Sequence, residues 1–238
     1  MGERPRSAHA NLLLIAAREP VAGATKTRLG AAIGMERAAS LYRAFLVDLA
    51  RRFAPQPGVD PDYDLGWAFT PAGCDFPGII AALSKTRCEG VRFVPQLGEG
   101  WGERQTHLLR WGYAQGYSRT VLIASDSPHL PAPIPVQAFA HLADHDVAIG
   151  RVHDGGYYLI GVQGFHDVLS GVPMSTTGAA DALCARAESL ALRVAALPPT
   201  FDIDEVADLA LLRQALEPDG ATAPATWAAL RELGLSRE

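Results

Sequence analysis

Only three of the 238 residues are cysteine, Cys74, Cys88 and Cys184. An odd number at wide spacing supplies neither a disulfide framework nor a CxxC metal or redox pair, so reduced, partly buried thiols are expected and the fold must rest on its apolar core. Long apolar runs are also missing. Stretches such as Leu12 to Ala17 fall far short of the roughly 20 residues that cross a bilayer, and residues 1 to 9 hold no apolar segment of the kind a signal peptide needs. No membrane span and a cytoplasmic location are the expectations. Positive charge is not in excess, with 21 Lys and Arg against 26 Asp and Glu, a net charge of -5. That balance excludes the global basic footprint of a nucleic-acid binder. The phosphate loop GxxxxGK[ST] and the dinucleotide pattern GxGxxG are absent as well.

What remains is an ordinary globular composition, 48% hydrophobic and 20% charged, long enough to bury a substantial core as one domain. Apolar runs at 11–17 (NLLLIAA), 64–70 (DLGWAFT), 90–95 (GVRFVP), 120–125 (TVLIAS) and 146–150 (DVAIG) read as strands. In RVHDGGYYLIG, 151–161, a polar turn feeds a further buried strand. Helical segments fill the intervals near 35–53, 77–84, 102–115 and 134–143. In the first, Ala38, Leu41, Phe45, Leu49 and Phe53 recur at steps of three or four, one apolar stripe opposite Arg43 and Arg51. Alternating strands and helices predict an α/β protein with a mostly parallel sheet, and such sheets bind ligands beyond the carboxyl ends of their strands. Residues 1–10 read as a flexible N-terminus, 11–216 as the domain, and 217–238 as a helical extension docking on the domain or on a second subunit.

Chemistry is therefore sought just after each strand. REPVAGATKTRLG follows the first, and its Arg18, Lys26 and Arg28 suit phosphates, arginine by bidentate contact and lysine as a point charge. IASDSPHLP ends the fourth strand in Asp126, a natural ligand for a hard cation such as Mg2+ or Mn2+ and equally a turn cap. In LPPTFDIDEVADL an extended backbone sends Asp202 and Asp204 to one side, where they could share that cation, while Asp204 is also a candidate N-cap. Arg104 opens the helix after PQLGEGWGER and can reach a phosphate from there. The glycines of DGGYY, Gly155 and Gly156, allow close approach of a ligand to the backbone beside Asp154, with Tyr157 or Tyr158 facing it. His129 and His153 read as unlikely ligands or bases, and His141 with His145 as a polar helix end rather than a zinc site.

Taken in order, REPVAGATKTRLG, PQLGEGWGER, ASDSPHLP, DGGYYLIG, MSTTGAADAL and PPTFDIDEVADL, spanning about residues 11–212, resemble the motifs of DUF2064. That is a bacterial family of GT-A-like transferases in the nucleotide-diphospho-sugar transferase superfamily. The KTRL element is also distantly similar to phospholactate guanylyltransferases. The resemblance implies a Rossmann-like GT-A fold with a mixed, mostly parallel sheet sandwiched by helices. It implies Mg2+ or Mn2+ at Asp126 with Asp202 and Asp204, and nucleotide or phosphate contacts at Arg18, Gly23, Lys26, Arg28, Gln96, Gly98 and Arg104. Substrate contacts fall at Gly155, Gly156 and Tyr157, and catalytic roles at Asp126, Lys26 and Asp154, the last as a base. Departures from the pattern are Arg18 for lysine, Ala124-Ser125 for Gly-Thr, Trp101 and Gln105 for Leu and Met, and the loss of Thr-Pro after Asp204. The expected activity is metal-dependent glycosyl transfer from an NDP-sugar to a small acceptor. The alternatives are nucleotidyl transfer from an NTP to a phosphorylated small molecule and silent nucleotide-sugar binding. The expected partners are accordingly a nucleotide or nucleotide-sugar and a small-molecule acceptor, with a homodimer as the expected assembly.

Overall fold

The computed structural model describes residues 9–54, 61–86 and 88–235, so only His9 and Ala10 of the expected flexible N-terminus lie inside it. Strands and helices alternate from the start: β1 (Asn11–Arg18), α1 (Thr27–Ile33), α2 (Met35–Phe53), β2 (Asp64–Thr70), α3 (Phe76–Ser84), β3 (Arg92–Pro95) and α4 (Trp101–Ala114). They continue as β4 (Arg119–Ala124), α5 (Pro133–His141), β5 (Val147–Val152), β6 (Tyr157–Gln163), α6 (Ala179–Ser189), β7 (Val194–Thr200), α7 (Asp208–Leu216) and α8 (Pro224–Glu232).

The strands form one sheet in the order β3-β2-β1-β4-β6-β5-β7. Strands β1 to β4 run parallel, β6 runs antiparallel to both β4 and β5, and β7 is parallel to β5. The apolar run of β1 places it near the middle, where both of its faces are covered. Leu13, Ile15 and Ala17 pack against α2 and, further out, residues of α3, α5, α7 and α8. Leu12, Leu14 and Ala16 face the opposite layer, built by α4 and α6. Among the described residues no helix is long and apolar enough to cross a membrane.

Two elements depart from the sequence reading. α1 begins inside the cationic loop, too short for a periodic signal. β7 carries Pro198 and Pro199, which remove two ladder donors, and such a strand is tolerated because it lies at the sheet edge.

Helix α2 does more than supply the apolar stripe. Its Asp48, 3% exposed, accepts from the backbone amides of Ala225 (2.9 Å) and Thr226 (2.7 Å). These are orphan donors of α8, whose own N-cap Ala223 offers no side-chain acceptor. One turn later Arg52 donates to the carbonyls of Pro128 (2.6 Å) and Leu130 (2.8 Å) and to that of Thr222. The C-terminal helix and the turn after Asp126 are thus pinned to the same helix.

His129 lies in that turn, 7% exposed. It is stacked on Phe201 at 4.1 Å between ring centroids, and its Nε2 is 2.9 Å from Thr200 Oγ1. Burial, with the nearby Arg52 charge, pushes its pKa down to about 4. The unfolded imidazole protonates near pH 6.5, so the stabilising share of neutral His129 is complete above that pH and is lost as pH falls toward 4. A His129→Gln variant should lack a component of about 2 kcal/mol that the parent loses between pH 7 and 4.5, measured by urea denaturation at both pH values; parallel pH profiles would contradict it. Asp48→Ala should cost about 2–3 kcal/mol by the same assay, because it strands two amides of α8 and their cap together.

Candidate functional site

Three adjacent parallel strands, β2, β1 and β4, end together, and a cleft of about 430 Å³ opens at their carboxyl ends. Its lining brings together Arg18, Lys26, Arg28, Gln96, Arg104, Asp126 and Asp204, drawn from four separate stretches of sequence.

Lys26 is the centre of the arrangement. It is the N-cap of α1 in the left-handed region, φ 48° and ψ 43°, a conformation that costs a non-glycine residue on the order of 1–2 kcal/mol. Its side chain, 4% exposed, donates to Ile203 O (2.7 Å), to Asp204 Oδ1 (3.0 Å) and to Asp126 Oδ1. An ammonium has three protons, and here each has an oxygen. Burial alone would lower the Lys26 pKa, yet the Asp126 and Asp204 charges outweigh it and hold the ammonium above its ordinary range.

Asp204 also receives Arg28 at 2.6 Å, and Arg28 reaches Glu205 Oε1 at 3.3 Å. Burial pushes the Asp204 pKa up, but Lys26 and Arg28 together bring it below the ordinary carboxylate value. Local capping falls to Asp208, whose Oδ2 accepts from the amides of Asp204 (2.8 Å) and Glu205 (2.7 Å). Asp204 is therefore released from the capping role considered for it. Asp202 is not among the lining residues but lies beside Asp126, and it accepts from Ser127 Oγ at 2.6 Å. Burial first, then the Asp126 charge, pushes its pKa up to about 7.

The other cations are differently placed. Arg18 Nη1 meets the Ala24 carbonyl (3.3 Å), and Arg104 meets those of Gly98 (3.0 Å) and Glu99 (3.4 Å); among the described residues neither has a carboxylate partner. Gln96 spends its amide on Ala17 O (3.2 Å) and Ala68 O (2.8 Å), locking the ends of β1 and β2 together.

A family model described as an uncharacterized protein conserved in bacteria (DUF2064) matches residues 74–176. An inferred nucleotide-diphospho-sugar transferase from Desulfovibrio desulfuricans G20 is 31% identical over 96% of each chain, with a TM-score of 0.85. The chain belongs to the DUF2064 family. The 4-diphosphocytidyl-2C-methyl-D-erythritol synthase of Anaerococcus prevotii DSM 20548 shares the fold at 10% identity, over 87% of this chain and 96% of its own, with a TM-score of 0.57. So does a nucleotidyl transfer enzyme of Methanothermobacter, at 17% identity over 86% and 96%, with a TM-score of 0.52. No curated protein matches the chain.

In this DUF2064 protein the DGGYY turn does not enter the cleft lining. Asp154 Oδ1 accepts from the Gly156 amide at 2.9 Å, a local turn. Gly155 has φ +90°, and a Cβ there would sit 1.8 Å from Thr177 O. What comes close to that backbone is the chain's own turn before α6. Tyr157 donates to or accepts from Gln105 (2.9 Å) inside the α4–α6 layer, and Tyr158 donates to Pro198 O (2.9 Å). Asp154, Gly155, Gly156 and Tyr157 are thus held by contacts within the chain and are not among the residues lining this cleft. Gly23 and Gly98 are likewise backbone devices: both have positive φ, and a Cβ on Gly98 would meet Glu103 at 2.8 Å. His141 and His145 close a helix end, with His145 Nδ1 3.1 Å from the His141 carbonyl.

Among the described residues no three His, Cys, Asp or Glu side chains converge as a metal cage. The all-oxygen set Asp126, Asp202 and Asp204 nevertheless has the chemistry of a hard-cation site. Mg2+ usually takes one or two carboxylates and completes its shell with substrate phosphates and water. The residues fit an ion held jointly with phosphate, not one caged by protein alone.

Among the lining residues that the sequence reading did not assign to the site are Tyr42, Thr70 and Ser125. Tyr42 reads as core because it sits beside the apolar stripe of α2, while its hydroxyl reaches Ser125 at the end of β4.

Lys26→Met should cost about 2 kcal/mol, discounted for the partial exposure of both carboxylates, and Lys26→Arg should not restore it because a planar fork does not fit a three-oxygen socket. Denaturation, with hydrogen exchange at residues 201–206, reads both; stability equal to the parent would show that the buried ammonium contributes nothing net.

Proposed function

We propose that this transferase binds a nucleotide-activated donor in the cleft and performs nucleotidyl transfer, joining an NTP to a phosphorylated small molecule. The observation that supports the reading is the state of the cleft carboxylates. Asp126 and Asp204 are both ion-paired with Lys26, and Asp154 is not on the lining, so among the described lining residues no carboxylate stands unpaired as a base for a hydroxyl acceptor. A phosphate acceptor needs no such base, since it arrives ionised. Its oxygen attacks the α-phosphorus, the new P–O bond forms, the bond to the bridging oxygen breaks, and pyrophosphate leaves with the electron pair. Arg18 and Arg104, without carboxylate partners among the described residues, and Arg28 at the mouth supply charge for the donor phosphates and the leaving pyrophosphate. Asp126 with Asp202 or Asp204 would hold Mg2+ or Mn2+, which supplies further neutralisation of the phosphate charge.

Glycosyl transfer from an NDP-sugar to a small acceptor is the second reading, favoured by the description of the 31% identical relative. It requires an acceptor base from outside the cleft carboxylates or from the donor itself.

Thermal-shift titration with NTPs and NDP-sugars, each with and without Mg2+, separates them, because a ligand that binds only the native state raises its apparent stability. Nucleotidyl transfer predicts stabilisation by one NTP and pyrophosphate release when a phosphorylated acceptor is added. Release of NDP from an NDP-sugar would reverse the order of the two readings, and binding without turnover of either would leave a silent nucleotide-binding protein. Asp126→Asn should abolish the Mg2+-dependent part of the shift and leave the fold intact.

A further inference from the structure

We propose that Ser125 is a further donor-binding residue, its hydroxyl proton held ready for an anionic oxygen of the bound phosphates; this rests on the nucleotide reading above. Ser125 directly follows β4 and precedes Asp126, lines the cleft and is 2% exposed. Its amide is fixed to Ala16 O at 3.1 Å, and its Oγ lies 2.7 Å from the Tyr42 hydroxyl.

The direction of that bond follows from counting protons. The backbone amide of Arg18 donates to the Tyr42 hydroxyl oxygen at 3.0 Å, and an amide can only donate. Tyr42, 2% exposed, has one proton, and burial, which pushes its pKa up to about 12, keeps that proton in place. Among the described residues the acceptor within hydrogen-bond reach of it is Ser125 Oγ. Tyr42 therefore donates to Ser125, and the serine proton is left without a protein acceptor. A buried hydroxyl donor left unmet costs about 1–3 kcal/mol, so it must meet water or a ligand, and its one open side is the cleft. The relay from amide to phenol to serine polarises each bond in turn and strengthens the terminal donor. Among Arg18, Lys26, Arg28 and Arg104, the ligand that such a donor meets is an anion. Tyr42 is the positioning residue: it spends the acceptor capacity of Ser125 on itself and so orients the proton outward.

Isothermal titration of NTPs, NDP-sugars and inorganic pyrophosphate, all with Mg2+, into the parent and four variants tests the relay. Ser125→Ala should weaken binding about tenfold, the value of one hydrogen bond to a charged oxygen. Ser125→Thr, which keeps the hydroxyl, should bind as the parent does. Tyr42→Phe should weaken binding about threefold and add no further loss in the Ser125→Ala background, since without the serine proton there is nothing to orient. Denaturation of each variant separates these losses from loss of fold. Unchanged affinity in Ser125→Ala, or additive losses in the double variant, would overturn the proposal. A parent that binds pyrophosphate but none of the NTPs or NDP-sugars would sink the nucleotide reading and leave Ser125 to be judged on pyrophosphate. A parent that binds neither would overturn both.

Discussion

The buried Lys26 ammonium is the interaction on which the site depends. It joins a loop near the start of the chain to Asp126 at the end of β4 and to Ile203 and Asp204, 177 and 178 positions away. A desolvated ammonium without partners would simply lose its proton. Three oxygens from two segments prevent that, and in return the ammonium lets two carboxylates approach each other. The Ile203 amide donates to the Asp126 carbonyl at 3.0 Å, so the same two segments are also fixed by backbone. The left-handed backbone at Lys26 is the cost of aiming the side chain inward from a helix start, and the ion pairs offset it.

Once Lys26 is spent on the protein, the charge left for a ligand is asymmetric. Among the described residues Arg18 and Arg104 hold only carbonyl oxygens, while Asp126 and Asp204 are already answered by Lys26 and Arg28. The cleft thus favours anions even though the chain as a whole carries a net charge of -5. Asp202 is the exception. Half-buried beside another carboxylate, with Ser127 as its hydrogen-bond donor, it has no ion-pair partner among the described residues, and its pKa is pushed up.

Much of this was legible beforehand, for identifiable reasons. Apolar runs flanked by polar turns marked β1, β2, β4 and β5, and the 3.6 periodicity of α2 needed no family knowledge. The rule that ligands gather at carboxyl ends of parallel strands placed Arg18, Lys26, Arg28 and Asp126 together. Two kinds of feature were hidden. Side-chain direction in irregular backbone was one: 201–204 lacks the regular strand that alternation assumes, so Asp202 and Asp204 part company. The other was close packing of the chain on itself. The glycines of DGGYY signal an approach to the backbone, and a sequence cannot say whether a ligand or Thr177 makes it.

Helix α2 shows why a core element can still set the chemistry. Its stripe buries Leu41, Phe45, Leu49 and Phe53, and burial of that area would hold an all-apolar helix at least as firmly. Yet Tyr42, Asp48 and Arg52 are buried or half-buried polar groups on the same helix, and each has a distant partner: Ser125, the amides opening α8, and the carbonyls of the 128–130 turn. Apolar contacts tolerate sliding by a fraction of an ångström; hydrogen bonds with defined donors and acceptors do not. Three such polar anchors spaced along one helix fix its rotation and its register against the ends of the strands. The position of Asp126 is therefore set from two sides, by Lys26 in the cleft and by Arg52 behind the following turn, and the stability given up by burying polar groups is exchanged for a cleft whose donors point one way.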